Sequence, residues 1–227
     1  MILRMGLLRK RADLSLSAFE RHWRAEHQPL TAELPGLRKY HRNLVVDRQQ
    51  LGIDYARGGY DFDGISQLWF DDIPSMNGAL ASDVGRALID DERHFVADIA
   101  IITTIPHVVI PTPPGAGLVK RMSTLTRRED VGSDTFQNEW FDIHSVLVKR
   151  IPQVKGYAQD LVFDRMVDRK PAAREHLRID GIVELWFEDI ERLKAGFASD
   201  AGKTLMTHAE EFIGEISTFL VETEEVI

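Results

Sequence analysis

The sequence predicts an α+β protein: two β-α-β-β-α-β repeats packed sheet to sheet around one barrel-like core. The first observation behind this is internal repetition at a spacing of 117 residues. Phe19, Trp23, His27 and Leu30 stand over Phe136, Trp140, His144 and Leu147. From 19 to 95, 26 of 77 positions are identical in one ungapped register, which marks a tandem duplication. The second is periodicity, with helical stretches alternating with short β-branched runs in each copy. The third is that the strands are apolar on both faces: Ile65 and Trp69 point one way, Leu68 and Phe70 the other. Such a sheet must be covered on both sides, and the other repeat is the economical cover.

Taken in order, Ile2 to Arg9 is an apolar strand ended by the turn-like Lys10-Arg11-Ala12-Asp13. Ser15 or Ser17 caps a helix that carries Phe19, Trp23, His27 and Leu30 and stops at Pro35-Gly36. Leu37 to Asp47 is the second strand, with Tyr40, Arg42, Leu44 and Val46 on one face and His41, Asn43 and Val45 on the other. Residues 49–60 hold three glycines and form a loop. Phe62 to Phe70 is the third strand, entered through Asp63-Gly64. Pro74 opens a helix, or a pair of helices given Gly78 and Gly85, running to about Val96. Ile99 to Ile110 is β-branched and closes the unit. This order is the ferredoxin-like arrangement. The first repeat spans 1–110, a Pro/Gly linker spans 111–117, and the second repeat spans 118–227. In the second, strands are expected at 118–126, 154–164, 179–187 and 216–224, and helices at 133–151 and 190–212.

Composition narrows the function classes. Each half has the size of an ordinary domain and needs no disulfide or metal to bury a core. There is no cysteine, which removes disulfides, thiolate zinc sites and cysteine nucleophiles. A net charge of -8 argues against nucleic acid. No apolar run reaches 18 residues, and Arg4 breaks a first stretch too short for a signal core, so no membrane partner and a cytoplasmic location are expected. The nucleotide, hydrolase and HExxH zinc motifs are all missing from the sequence. Neither a cofactor nor a metal is expected.

The sharpest candidates for chemistry are His27 and His144, because a titratable side chain recurs mid-helix in both copies. Their bland alternative is a buried imidazole bonded to backbone. Tyr40 and Tyr157 follow on the adjacent strand and could donate to a developing oxyanion, or fill core with a wet hydroxyl. Asp63 and Asp180 precede an identical glycine and could orient the histidine, although Asp-Gly is also ordinary turn chemistry. Trp23, Trp69, Trp140 and Trp186 read as core, and His22 with Glu26 as an exposed helix pair.

With these residues in view, each half resembles the EthD family of the dimeric α+β barrel superfamily. The resemblance rests on Phe19-x3-Trp23-x3-His27-x-Pro29-Leu30, then Pro35-Gly36-Leu37-x2-Tyr40-x2-Asn43. It continues through Asp63-Gly64-Ile65-x2-Leu68-Trp69-Phe70 and Ser82-Asp83-x4-Leu88-x2-Asp91-x3-Phe95. It implies an intramolecular version of a barrel that relatives close with two chains, a pseudo-dimer free to pair again as a homodimer. It also implies a small organic ligand and a cofactor-free enzyme of oxidoreductase, isomerase or lyase type. The substrate would be a small cyclic or lactone-like compound of a catabolic or polyketide-type pathway. By resemblance to isomerases, His27 and Tyr40 would be the acid/base pair, with Asp63 tuning it. His144, Tyr157 and Asp180 would form a second pocket. There Val146, Ile143 and Asp160 replace the motif's Pro, Glu and Asn. The alternative is a binding protein that serves a neighbouring oxygenase; haem, found on related folds, has no expected axial ligand.

Overall fold

The structure, a computed structural model, describes residues 1–113 and 117–227. The middle of the expected 111–117 linker lies outside the described residues. The first repeat contains β1 (Ile2–Lys10), α1 (Leu16–His22), a π-helical turn (Trp23–His27), α2 (Gln28–Ala32), β2 (Lys39–Asp47) and β3 (Gly64–Phe70). It ends with α3 (Ile73–Ala81), α4 (Asp83–Asp91) and β4 (Val96–Ile110). The second contains β5 (Val119–Arg127), α5 (Ser133–Asn138), a π-helical turn (Glu139–His144), α6 (Ser145–Val148) and β6 (Gly156–Val167). A short β7 (Lys170–Pro171) precedes β8 (Gly181–Phe187), α7 (Ile190–Ala198), α8 (Asp200–Phe212) and β9 (Ile213–Glu225).

Each repeat forms an antiparallel sheet, β4-β1-β3-β2 and β9-β5-β8-β6. The two sheets face each other and are stitched along both edges. On one seam β2 pairs with β9, placing Asn43 opposite Thr223; on the other β4 pairs with β6 from Ala100↔Val167 to Ile110↔Tyr157. The result is a closed eight-stranded barrel among the described residues, with the helices outside. Closure leaves neither β2 nor β4 as an unpaired edge.

Local sequence explains the breaks. Ser15 caps α1 by accepting from the Ala18 N–H. Ser82 and Ser199 each end one helix and cap the next, which divides the expected 74–96 and 190–212 helices in two. The first helix of each repeat widens into π-helix over the Trp-to-His stretch, a feature that often marks functional positions. The widened turn puts both Trp23 and His27, and both Trp140 and His144, on the buried side.

Strand alternation then sorts the core. Side chains such as Met5, Val45, Ile65, Ile102, Met122 and Phe219 fill one end of the barrel interior. Outward-facing strand residues pack against the helical layer: Leu8, Leu44 and Ile101 meet Phe19, Trp23 and Phe95 in the first repeat, and Leu125, Tyr157 and Leu185 meet Phe136, Trp140 and Phe212 in the second. Gly64 and Gly181 are needed because the indole rings of Trp23 and Trp140 lie directly on them; a Cβ at Gly181 would come within 2.5 Å of its ring. The identical Asp-Gly pair is therefore a packing feature as well as a strand entrance.

The β2–β3 connections cross between repeats. Residues 49–60 reach the second repeat, where the Ile216 N–H donates to Ala56 O (2.8 Å) and Tyr55 Oη to Ile213 O (2.7 Å). The loop thereby sets Leu51 and Ile53 into the second repeat's outer core. Reciprocally, Arg169 reaches back to the first repeat and pairs with Glu92.

Candidate active site

The space between each sheet and its helices holds the histidine and tyrosine that the sequence points to, but in two different electrostatic settings. In the first repeat His27 is buried, with Nδ1 2.9 Å from Asp91 Oδ2. The carboxylate that meets it is Asp91, not Asp63. Tyr40 is fully buried, its hydroxyl accepting from Trp23 Nε1 at 3.2 Å. Burial pushes that phenol up to about 12. Thr31 lies between the two, donating to His27 O at 2.9 Å beside the Tyr40 hydroxyl. Burial tends to raise the Asp91 carboxyl, yet hydrogen bonds from His27 and His22 hold it below the usual carboxylate range. His22 is thus half-buried against Asp91 (3.0 Å) rather than paired with Glu26 on the surface.

Asp63 takes another role. It accepts from the Lys10 N–H (2.9 Å) and from Arg48 Nη2 (2.7 Å), closing the strand entrance. Asp180 repeats this, accepting from the Arg127 N–H and from Arg174 Nε, both at 3.0 Å. Both aspartates are bound to strands and arginines, away from either imidazole's hydrogen bonds.

In the second repeat His144 and Tyr157 line one cleft of about 40 Å³. The partner of His144 is His208, Nδ1 to Nδ1 at 3.1 Å, and His208 Nε2 lies 3.2 Å from Glu139 Oε2. With His208 Nε2–H donating to the carboxylate and Nδ1 left as an acceptor, His144 Nδ1–H donates to it and His144 Nε2 keeps a lone pair; this is the arrangement that lets His144 act as a base. Burial pushes His144 down to about 3 and keeps it neutral. Tyr157 Oη accepts from Gln159 Nε2 at 2.8 Å, so its own proton is available; burial raises its pKa well above that of a free phenol.

Arg121 completes the cleft, and nothing in the periodicity singled it out. It is 3 % exposed. Nη2 donates to Thr218 Oγ1 at 2.8 Å and the guanidinium stacks 4.4 Å over Phe197. Its Nε has no hydrogen-bond partner among the described residues, and burial alone lowers it to about 9. A buried guanidinium without a carboxylate is costly unless an anion reaches it. In the first repeat the equivalent Arg4 has Glu92 to offset its burial. The residue 117 positions after Glu92 is Ala209, which lines the cleft. Ile53, delivered by the first repeat's long loop, closes one side.

Two further groupings place potential metal ligands within 4.8 Å of one another: His22, Asp91 and His94, and at the matching positions Glu139, His208 and Glu211. They join the end of α1, or the start of the second π-helical turn, to the last residues of α4 and the turn after it, or of α8, a proximity that no spacing in the sequence displays. The cleft's 40 Å³ gives no room to a macrocycle.

Trp69 and Trp186 are not core. They are half-buried and line a chamber at one mouth of the barrel.

A duplicated, closed α+β barrel with a histidine–tyrosine pair under each helical layer defines the class of protein. The EthD domain profile matches residues 11–99 and 128–215, and the chain belongs to the EthD family. No curated protein matches it. Among solved structures, an anthrone oxidase-like protein superposes with a TM-score of 0.67 at 9% identity, covering 99% of this chain and 93% of that one. A candidate monooxygenase from Lactobacillus acidophilus NCFM gives 0.59 at 9% identity, covering 98% and 93%. A mutant chlorite dismutase from Candidatus Nitrospira defluvii gives 0.52 at 9% identity, covering 97% and 91%. These likenesses establish the shared fold. No helix of the described residues is long and apolar enough to cross a membrane.

Proposed function

We propose that this EthD protein is a cofactor-free enzyme that moves a proton beside a carbonyl of a small cyclic or lactone-like acid, and that the second repeat does the work. The observation that carries this is Arg121, buried and without a carboxylate among the described residues, on the same cleft as a neutral imidazole and a phenol with a free proton. An anionic oxygen of the substrate, or the enolate formed from it, sits on Arg121. His144 Nε2 takes the proton from the adjacent carbon, the electron pair moves onto the carbonyl oxygen, and Tyr157 donates to that oxygen. The anion on Arg121 raises the basicity of His144 by supplying counter-charge. Return of the proton to another carbon gives an isomer. The cleft as it stands has room for a water or two, or one acid group. A ring enters as the flexible Met206 swings away.

The test is proton exchange. Small keto acids and unsaturated lactones are incubated with the protein in D2O and followed by NMR for loss of the α-proton. Exchange should occur with a member of this class and drop by at least a hundredfold in His144→Ala, while His27→Ala retains it. Undiminished exchange in a folded His144→Ala protein would refute the assignment.

A further inference from the structure

The barrel interior carries a second cavity that the helix-side chemistry does not use. Apolar side chains fill one end; across the middle lies a polar belt. Lys120 Nζ is 2.6 Å from Glu184 Oε2 and donates to Asn43 Oδ1 (3.0 Å) and Gln67 Oε1 (3.1 Å). Gln67 Nε2 donates to Glu184 Oε1 at 2.6 Å, and Thr223 Oγ1 to Asn43 Oδ1 at 2.8 Å. Above this belt the barrel opens into a chamber of about 1000 Å³. That is the upper end of the range for small-molecule sites. Trp69 and Trp186, both half-buried, supply its aromatic wall.

Two polar atoms on the chamber floor are left over. Asp160 is 1 % exposed; its proton is shared with Glu184, and Oδ2 receives no hydrogen bond; His41 is 7 % exposed and its Nε2 has no hydrogen-bond partner either, the Glu225 carboxylate standing 3.7 Å away, among the described residues. Buried polar groups without partners are rare and ask for an explanation. The charges around them narrow the ligand. Burial and the neighbouring Glu184 hold the Asp160 carboxyl in its protonated form, well above the usual range. Burial and the nearby Lys39 and Lys120 push His41 down to about 3, so it is neutral. Lys120 is already engaged with Glu184, and Glu222 and Glu225 stand at the lining. An anion therefore finds a neutral acid, a neutral imidazole, an ammonium committed to Glu184, and the Lys39 ammonium held over the Trp69 ring with Glu222 and Glu225 on the same lining. A flat molecule with one neutral hydroxyl finds two hydrogen-bonding partners and indole walls.

We infer that the barrel chamber is a second ligand site, for a neutral aromatic alcohol, with its hydroxyl between Asp160 and His41 and its ring against Trp69 and Trp186. This site is separate from the helix-side cleft and stands or falls independently of it.

The full-length protein is titrated at neutral pH with 2-naphthol and, in parallel, with the anionic 2-naphthoate, following tryptophan emission and calorimetry. Trp23 and Trp140 are fully buried under the helices, so quenching should come from the chamber pair and disappear in the Trp69→Phe, Trp186→Phe double variant. Saturable 2-naphthol binding is expected, at least tenfold tighter than 2-naphthoate. It should weaken at least tenfold in His41→Leu, and likewise in Ala158→Trp, which puts an indole into the chamber beside Asp160. His41→Leu adds no bulk and keeps the test decisive should Ala158→Trp fail to fold. No saturable binding, equal affinity for 2-naphthoate, or binding retained in folded His41→Leu would overturn the inference. So would binding lost in Arg121→Met but kept in His41→Leu, which would place the ligand in the helix-side cleft.

Discussion

Ala209 occupies in the second repeat the position that Glu92 occupies in the first, and this exchange separates a compensated arginine from an uncompensated one. Arg4 has Glu92 near it, and Glu92 is itself paired with Arg169 from the other repeat. Among the described residues Arg121 has only a threonine hydroxyl and an aromatic ring. Two copies of one fold thus present a closed ionic network on one side and an anion receptor on the other.

Restoring the carboxylate should convert the second site into the first. Ala209→Glu is expected to bring proton exchange down to the level of His144→Ala while the protein stays folded. Circular dichroism and the exchange assay check both halves of that statement. The reverse change, Glu92→Ala, leaves Arg4 and Arg169 without their counter-charge and should cost about 3 kcal/mol in urea unfolding.

The belt in the barrel should behave as a unit. Lys120→Met strands the Glu184 carboxylate, which burial alone would raise but Lys120, with hydrogen bonds from Asp160 and Gln67, holds below the usual range. A loss of about 3–5 kcal/mol is expected. Adding Glu184→Gln removes the stranded charge and should recover most of it, a non-additivity that a double-mutant cycle by denaturant titration measures directly.

Stability should fall on mild acidification before the carboxylates titrate. His41 and His144 are both depressed to about 3 in the folded protein, while an unfolded histidine titrates near 6.5. Below pH 6.5 the unfolded chain therefore binds protons that the native state refuses. Stability is complete above that value and declines toward pH 3, by about 1.4 kcal/mol per pH unit for each histidine. Urea midpoints between pH 7.5 and 4.5 should show a shallower slope in His41→Asn and in His144→Asn. Asp160 has the opposite sign. Its raised folded pKa means that stability is lost as pH climbs above the unfolded carboxyl value of about 3.9 and through the folded one, so Asp160→Asn should gain relative to the parent protein over that rise.

Packing on the glycines gives a separate check. Gly181→Ala presses a methyl into the Trp140 ring and should cost about 1–3 kcal/mol by overpacking. Trp140→Leu in the same chain should relieve part of that cost, read from thermal midpoints of the two single variants and the double.

What the sequence disclosed was its symmetry. Identities such as Trp23/Trp140 and Gly64/Gly181 mark places where both repeats pack alike, so the element order and the two-sided core were legible. The helix histidines and following tyrosines were legible as candidates for the same reason. The electrostatic character of the site lay instead in mismatches: Glu92 against Ala209, Asp91 against His208, Leu3 against Lys120, Gln67 against Glu184. Register comparison passes over these because nothing in them repeats. Arg121 and Lys120 are adjacent in an apolar strand, and alternation sends one under the helices and one into the barrel, both buried. Two neighbouring charges amid Val119 and Met122 were the available signal. The roles of Asp63 and Asp180 were illegible for another reason, since their arginine partners come from separate turns of the chain.

Lys120 shows what fusing the halves permits. Were the barrel assembled from two identical subunits, every interior residue would meet its own image, and one ammonium facing one carboxylate would be unattainable without a second such couple across the axis. A continuous polypeptide escapes that constraint: Leu3 fills the mirror position with a hydrocarbon, Asn43 and Gln67 answer Asp160 and Glu184 with amides, and the lumen acquires a polarity of its own, with a front and a back.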